Sequence, residues 1–539
     1  MNPEHHSNRY TILAAVATAL LLMFGITDHD AWTPDEPRET LMSLDMARGS
    51  SWIVPQLAGE PFVEKPPLYY WVVASAMRLL PEQINPAHVA RGVSATCGVL
   101  ILAIVAWFAG GFAERRETLL AVSVLGTMTG FLELTHWIRI DSVLSVAVAG
   151  AALTGIAGIA RGKPVLLVLA GFFTGLAFLA KGFVAVALIA PAILAACWFN
   201  RDRLRQSWFG WPVGLIAMLV PPLLWIAAYR SEATPELWNE WFWINQVGRF
   251  LGKTRHLGHI HGPFYYATAL ATVLLPWTFV LIEMLVFWKR YRDTQRDESF
   301  RRHWLPVLFW AIGGVLILSA AGTKRAIYLF PLLPAFALII AAHVRHVTKA
   351  LNYALMGIVG MLLVLSAFFS FAGWIPDGSG GAMAFSPSLP TLALTICAIV
   401  LLMVSFRFPL ERTALVGAVV FMALIVRLEP ILDHYKNYGP AFRQFEGTIP
   451  PEVRPRVCGW NLDQTTRASF PLYCGWRVVT IRDPERLVRI LENRDPEFSQ
   501  VIVQFEKKAA LPAIELPPYE TLIRQELATG RILGLIQAE

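Results

Sequence analysis

Long apolar runs separated by short polar gaps fill the chain from residue 11 to about residue 427. Each run is roughly 18 to 25 residues long, enough for an α-helix to cross a hydrocarbon core of about 30 Å with its backbone groups satisfied internally. Thirteen spans are predicted, near 11–27, 88–112, 117–136, 142–160, 164–180, 182–199, 208–229, 264–288, 304–321, 326–344, 350–374, 390–406 and 413–427. The pattern is that of a polytopic α-helical membrane protein. The first run, "YTILAAVATALLLMFGIT", reads as an uncleaved span, because more spans follow and no small-residue cleavage site precedes "DHDAWTPDEPR".

Two regions break the pattern. Between the first two spans lies a loop, 28–87, in which "DEPRETLMSLDMARGS" carries apolar residues at helical spacing and "SSWIVPQLAGEPFVEKPPLYYWVVASAMRLL" adds a second amphipathic stretch. Both are predicted to lie along the membrane interface with Trp and Tyr at headgroup depth. A second long loop covers 230–262. Beyond residue 427 short apolar runs alternate with helical patterns, as in "PRVCGW", "WRVVTI", "DPERLVRILENR", "FSQVIVQF" and "RILGLIQ". A transmembrane domain over 1–427 and a small α/β domain over 428–539 are therefore expected. No internal repeat of the kind common in transporters is visible.

Composition sharpens this picture: 55% of the 539 residues are hydrophobic, 16% are charged, and the mean hydropathy is +0.50. The net charge of +7 does not point to nucleic acid, because the basic residues are distributed by loop. Arg115 and Arg116, Arg161 and Lys163, Arg201, Arg203 and Arg205, the cluster "KRYRDTQRDESFRR", Arg345 and Lys349, and Arg407 and Arg412 all fall in alternate gaps. The positive-inside rule makes those gaps and the N-terminus cytoplasmic. An odd number of spans then puts the tail on the opposite side, the periplasm if the membrane is a bacterial inner membrane. Cys97, Cys197 and Cys397 lie in apolar spans, whereas Cys458 and Cys474 each open a "CGW" triplet in the tail. There a disulfide and two reduced cysteines on separate strands are both open.

The candidate chemistry collects on the non-cytoplasmic side: Asp35, Glu36 and Arg38; Glu64 and Lys65; Arg139 and Asp141; Lys181; Arg249 with His256, His259 and His261; and Lys324, Arg325 and Tyr328. Both signs of charge at one membrane face suit a charged substrate whose tail stays in lipid. Asp35 and Glu36 also suit a helix N-terminus, and Lys65 and Lys324 also suit snorkelling. Lys181 stands between two apolar runs with no loop to hold it in water, the usual mark of a functional charge. The histidine spacing H-x2-H-x-H fits no zinc signature.

Taken together, "TPDEPRETLMSLDMARGSSWIVPQLAGEPFVEKPPLYYW" resembles the first external loop of the protein-mannosyltransferase superfamily of membrane glycosyltransferases, and most closely its bacterial ArnT-like aminoarabinose transferase branch. The carrying residues are Asp35-Glu36-x-Arg38, Ser51-Trp52-Ile53-Val54-Pro55 and Val63-Glu64-Lys65-Pro66, followed in order by Asp141, Lys181-Gly182, Arg249-Phe250, "PFYY", and Lys324 with Tyr328. Where the family has Glu-His before Arg-Phe, this chain has Asn245-Gln246.

The resemblance implies a GT-C-like fold and a polyprenyl-phosphate-linked sugar donor, undecaprenyl phosphate in bacteria, with lipid A as acceptor. It implies catalytic roles for Asp35, Glu64 and Asp141, and substrate contacts from Arg38, Lys65, Lys181, Arg249, Lys324 and Tyr328. A divalent metal is left open, with Glu64, His259 and His261 as its candidate ligands. A protein O-mannosyltransferase-like or other envelope-glycan acceptor is the alternative within the class. A lipid or sugar flippase is the alternative outside it, disfavoured by the one-sided charge.

Overall fold

The computed structural model describes residues 18–248, 260–287, 300–343, 432–505, 516–527 and 530–539, with isolated positions between them. Among the described residues six helices are long and apolar enough to cross a membrane: Pro86–Ala109, Ile140–Arg161, Pro164–Lys181, Gly210–Glu232, Phe300–Ala320 and Ala326–His343. Each matches a predicted span. The predicted spans 350–374, 390–406 and 413–427, and the start of the first, fall outside the described residues apart from isolated positions. The chain divides into two compact units, one bounded by Met1–Ile26, Val63–Tyr69 and Arg91–Leu428, the other by Thr27–Phe62, Tyr70–Ala90 and Glu429–Glu539.

Within the first unit, helix Ile140–Arg161 is buried along nearly its whole length. A left-handed Gly162 ends it, and Pro164 starts the next helix two residues later, so Pro164–Lys181 folds back antiparallel against it. Pro164–Lys181 also packs on Gly210–Glu232. The two backbones meet at Gly171, where a Cβ would lie 1.9 Å from the carbonyl oxygen of Gly214, so only glycine permits the approach.

Two predicted spans are not single helices. The span 117–136 is broken into Arg115–Gly126 and Thr129–His136, bent by 65°. The span 264–288 is broken into Tyr265–Val273 and Thr278–Val286 around Pro276. Pro276 has no N–H to continue a helix, and Thr127 turns its hydroxyl back onto the Ser123 carbonyl at 2.6 Å. The two breaks then satisfy each other. The Thr129 N–H donates to the Leu275 carbonyl at 3.0 Å, the Thr129 hydroxyl to the Thr272 carbonyl at 2.5 Å, and the Trp277 indole to the Thr127 hydroxyl at 2.9 Å. Backbone groups that lipid could not satisfy are paired inside the bundle.

In the second unit the tail forms a five-stranded mixed sheet with β1 Val457–Trp460, β2 Val479–Ile481, β3 Gln500–Phe505, β4 Tyr519–Glu526 and β5 Ile532–Ala538, in the order β2-β1-β3-β5-β4. Strands β2, β1 and β3 are parallel, and β5 runs antiparallel to both β3 and β4. Alternation puts Val457, Ile502, Leu533 and Leu535 on one face with Phe442, Phe445 and Phe470, and Cys458, Val501, Val503 and Ile536 on the other with Leu487, Ile490 and Leu491 of helix Pro484–Leu491. Strand β4 is absent from the pattern of apolar runs. It is an edge strand whose side chains are mostly exposed, so it carries little apolar signal.

Most of the first loop, Thr27–Phe62 and Tyr70–Ala90, belongs to this unit, although the predicted boundary at 427 leaves it with the membrane body. Helix Glu36–Ala47, expected at the membrane interface, is mostly buried and packs on the tail helix Gln464–Ser469. Four tail arginines meet loop acids: Arg443 with Asp30 at 3.2 Å, Arg467 and Arg482 with Glu60 at 2.8 and 3.1 Å, and Arg477 with Asp45 at 2.8 Å. The exposed pairs, Arg443 with Asp30 and Arg482 with Glu60, contribute about 0.2–1 kcal/mol each. Buried polar contacts fix the register: Thr33 N–H to the Lys436 carbonyl at 2.9 Å, the Trp32 indole to Asp433 at 2.9 Å, and the Tyr473 hydroxyl to the Ala31 carbonyl at 2.7 Å.

The disulfide considered for Cys458 and Cys474 is absent: both are free thiols. The reason is the sheet. Cys458 faces the layer of helix Pro484–Leu491, whereas Cys474 packs in the opposite layer against Phe442. Burial pushes the pKa of each thiol up to about 12. Both cysteines are therefore expected to resist alkylation at pH 8 in the folded protein and to react fully once it is denatured without reductant. Peptide mapping by mass spectrometry checks this, and a Cys458–Cys474 linked peptide would overturn it.

Candidate functional site

Asp141 sits in the first turn of Ile140–Arg161, and Lys181 is the last residue of Pro164–Lys181. Because the two helices are antiparallel neighbours, these termini fall at the same end of the bundle. An acid at a helix N-terminus and a base at a C-terminus each suit the helix dipole. The Lys181 Nζ lies 2.5 Å from Asp141 Oδ1, with both side chains largely buried. The same ammonium stands over the ring of Tyr328 at 4.3 Å from its centroid, a cation–π contact. The charge that the sequence leaves without a loop is thus held by a carboxylate and an aromatic face.

Further cations act on the same carboxylate. Lys65 and Arg139 add their fields to that of Lys181 at Asp141. Arg139 is also paired with Glu133 at 2.7 Å and lies over the Trp137 ring. Glu64, the other half of the "EK" pair, acts in a different direction. Loss of hydration, and then the Glu64 charge, raise the carboxyl of Glu240 above its ordinary range. Lys324 is buried and donates to the Ala321 carbonyl at 2.7 Å, closing the C-terminus of helix Leu305–Ala320. Its neighbour Thr323 pairs with Ile260, so the end of the second long loop is tied to the segment that carries Tyr328.

After Lys181 the chain turns through Gly182 at φ +71, and a Cβ there would lie 2.0 Å from the Gln246 side-chain oxygen. Only glycine lets Gln246 pack this close. Asn245 donates to the Glu240 carbonyl at 3.1 Å. Where the family has Glu-His, this chain therefore sets two amides, weak ligands for a transition metal. Among the described residues no three of His, Cys, Asp or Glu converge on a common point. His261 is exposed and stacks on Tyr265 at 4.2 Å. His256, His259 and Arg249 lie outside the described residues. The described residues make no metal cage.

In the second unit, Asp35 is the residue that begins helix Glu36–Ala47, and Arg38 stands one turn on. Arg38 Nη2 reaches Asp35 at 3.0 Å and Glu39 at 3.2 Å, and its Nη1 donates to Gln464 at 2.6 Å. Glu39 is buried and also accepts from the Tyr70 hydroxyl at 2.7 Å. Glu36 takes the Trp32 N–H at 2.8 Å, the helix-start role that its position suggests. Glu39, Tyr70 and Gln464 are not among the residues that sequence reasoning singles out. Glu39 is four residues from Asp35 and can be found by helical spacing, whereas Gln464 carries no local signal.

Replacing either Asp141 with Asn or Lys181 with Met removes the nearest counter-charge of its largely buried partner, a cost of about 3–5 kcal/mol. Each single variant is expected to melt well below the wild type in detergent, and the double variant to recover most of the loss. Single variants that melt with the wild type would refute the buried pair.

The geometry can be set beside known proteins. The family model for dolichyl-phosphate-mannose-protein mannosyltransferases matches residues 64–225. An undecaprenyl phosphate-α-4-amino-4-deoxy-L-arabinose arabinosyl transferase of Serratia proteamaculans is 28% identical over 381 residues, covering 68% of this chain and 66% of the relative. The corresponding protein of Edwardsiella ictaluri is 30% identical over 352 residues, covering 62% and 61%. The chain thus spans just under two thirds of the length of these curated relatives. The crystal structure of ArnT from Cupriavidus metallidurans bound to undecaprenyl phosphate superposes with a TM-score of 0.73 over 97% of both chains at 17% identity. The archaeal oligosaccharyltransferase AglB from Archaeoglobus fulgidus gives 0.51 over 93% of this chain and 69% of that one, at 13% identity. The resemblance read from the first loop is borne out: in sequence and in membrane fold, the chain is ArnT-like.

Proposed function

We propose that the chain transfers an aminoarabinose-type sugar from a polyprenyl phosphate carrier to lipid A at the periplasmic face of a bacterial inner membrane. The observation that carries this reading is the set of cations, Lys181, Lys65 and Arg139, around the buried carboxylate of Asp141. Such a cluster suits an anionic headgroup whose isoprenoid chain remains in lipid. The likeness to arabinosyl transferases supports the choice of sugar and carrier.

In this proposal the bond between the anomeric carbon and the donor phosphate oxygen breaks, and the polyprenyl phosphate leaves with both electrons. Lys65 and Arg249 stabilise the negative charge that grows on that phosphate. Lys181 and Tyr328 flank the same headgroup, and Lys324 stiffens the segment that carries Tyr328. Glu64 and Asp141 hold the sugar as positive charge develops at its anomeric carbon. A lipid A phosphate is already ionised and attacks without a base, so Asp35 and Arg38 position the acceptor.

The match of residues 64–225 to a protein-mannosyltransferase model supports a second reading, in which the acceptor is a hydroxyl and Asp35 takes its proton. The topology belongs to the same proposal: thirteen spans, a cytoplasmic N-terminus and a periplasmic tail. A membrane domain over 1–427 and a tail domain over 428–539, with most of the first loop grouped with the tail, and 230–262 as a lid over the donor complete it.

Mass spectrometry of lipid A from cells with and without the protein, under conditions that supply the donor, tests the reading. A pentosamine-sized addition is expected with the wild type and not with Glu64→Ala expressed at the same level. Unchanged lipid A beside newly glycosylated envelope protein would replace the first acceptor with the second. No change in either, with the lipid-linked sugar pool intact, would overturn transfer altogether.

A further inference from the structure

Arg38 is shared by two carboxylates through a single nitrogen, Nη2, at 3.0 Å to Asp35 and 3.2 Å to Glu39. The guanidinium also lies over the Phe62 ring, 5.6 Å from its centroid. Its other terminal nitrogen donates to the Gln464 amide oxygen at 2.6 Å, 426 residues away in sequence, which adds a second point of grip on its orientation.

The tail builds a firm mount for that amide. Asp463 starts helix Gln464–Ser469 and accepts the Thr466 N–H at 2.7 Å. From the sheet, Gln504 on β3 donates to Asp463 at 3.1 Å, and Arg531, just before β5, also pairs with Asp463. The Gln504 oxygen takes the Thr466 hydroxyl at 3.2 Å. Thr465 adds a bond to the Pro34 carbonyl at 2.9 Å, beside Asp35 itself. The short helix is thereby pinned at its start to two strands and along its side to the loop.

We propose that Gln464 is a positioning residue for the transfer reaction: the tail domain, through this amide, sets the orientation of Arg38 and hence of the Asp35 carboxylate. The inference rests on the role given to Asp35 and Arg38 in the proposed function. It makes the tail part of the working apparatus of the membrane enzyme.

The test uses the full-length protein in membranes, with lipid A transfer followed at varied donor concentration. Gln464→Ala is expected to lower kcat about tenfold, the worth of a hydrogen bond to a charged group, while KM for the donor stays at the wild-type value. Gln464→Glu, which keeps an acceptor at the same reach, is expected to restore at least half of the loss. Arg443→Gln serves as the control, since it breaks another tail-to-loop contact, the exposed pair with Asp30, without touching Arg38. Wild-type kcat in Gln464→Ala would overturn the proposal. An equal loss in Arg443→Gln would overturn it too, by tracing the effect to docking in general. A wild type without lipid A transfer would instead sink the functional reading on which the inference rests.

Discussion

A lysine and an aspartate at 2.5 Å, at the facing ends of two antiparallel helices, set the terms for the rest of the membrane unit. Alone, either charge would be expensive to bury. Together they are tolerable because each also sits at the helix terminus whose partial charge it opposes. The consequences run outward. Lys181 must end its helix at the level of Asp141, so the chain has to turn at Gly182, and it does so with the Gln246 amide packed on the backbone where no side chain fits. Tyr328 has to present its ring to the ammonium, and the short helix Ala326–Leu332 that carries it is braced by the buried Lys324.

Much of this arrangement is legible in the amino-acid sequence. Runs of apolar residues locate the long helices to within a few positions, since lipid leaves a backbone few alternatives. Lys181 stands out because it has no loop to keep it in water, and Asp141 because it lies at the edge of an apolar run. That they face each other follows from the turn at Gly162, a local feature whose geometric result no hydropathy pattern records. The breaks at Thr127 and Pro276 are hidden for a related reason. A proline or threonine inside an apolar run is tolerated where a neighbour supplies the missing partner, and here each break supplies the other.

The tail shows the opposite balance. Its buried strands and the helix Pro484–Leu491 alternate as expected, because each has a face on one of two apolar layers. Residues that act across the sequence are not legible. Cys458 and Cys474 share a triplet but point into different layers of one sheet, so similarity of local sequence misleads. Gln464 is polar, common and remote from Arg38, and nothing in its surroundings marks it. Separation along the chain, more than burial, decides what can be read.

The joining of the first loop to the tail also governs how the protein is made. Asp30 and its partner Arg443 are 413 residues apart. At a ribosomal rate of about 5–20 residues per second, roughly 20 to 80 seconds pass between the emergence of one and of the other. During that interval helix Glu36–Ala47, with its buried carboxylates, has none of its final neighbours from the tail. Assembly of this unit therefore waits on synthesis of the tail. A chain shortened at its C-terminus would leave the ribosome with its earliest loop still awaiting a partner.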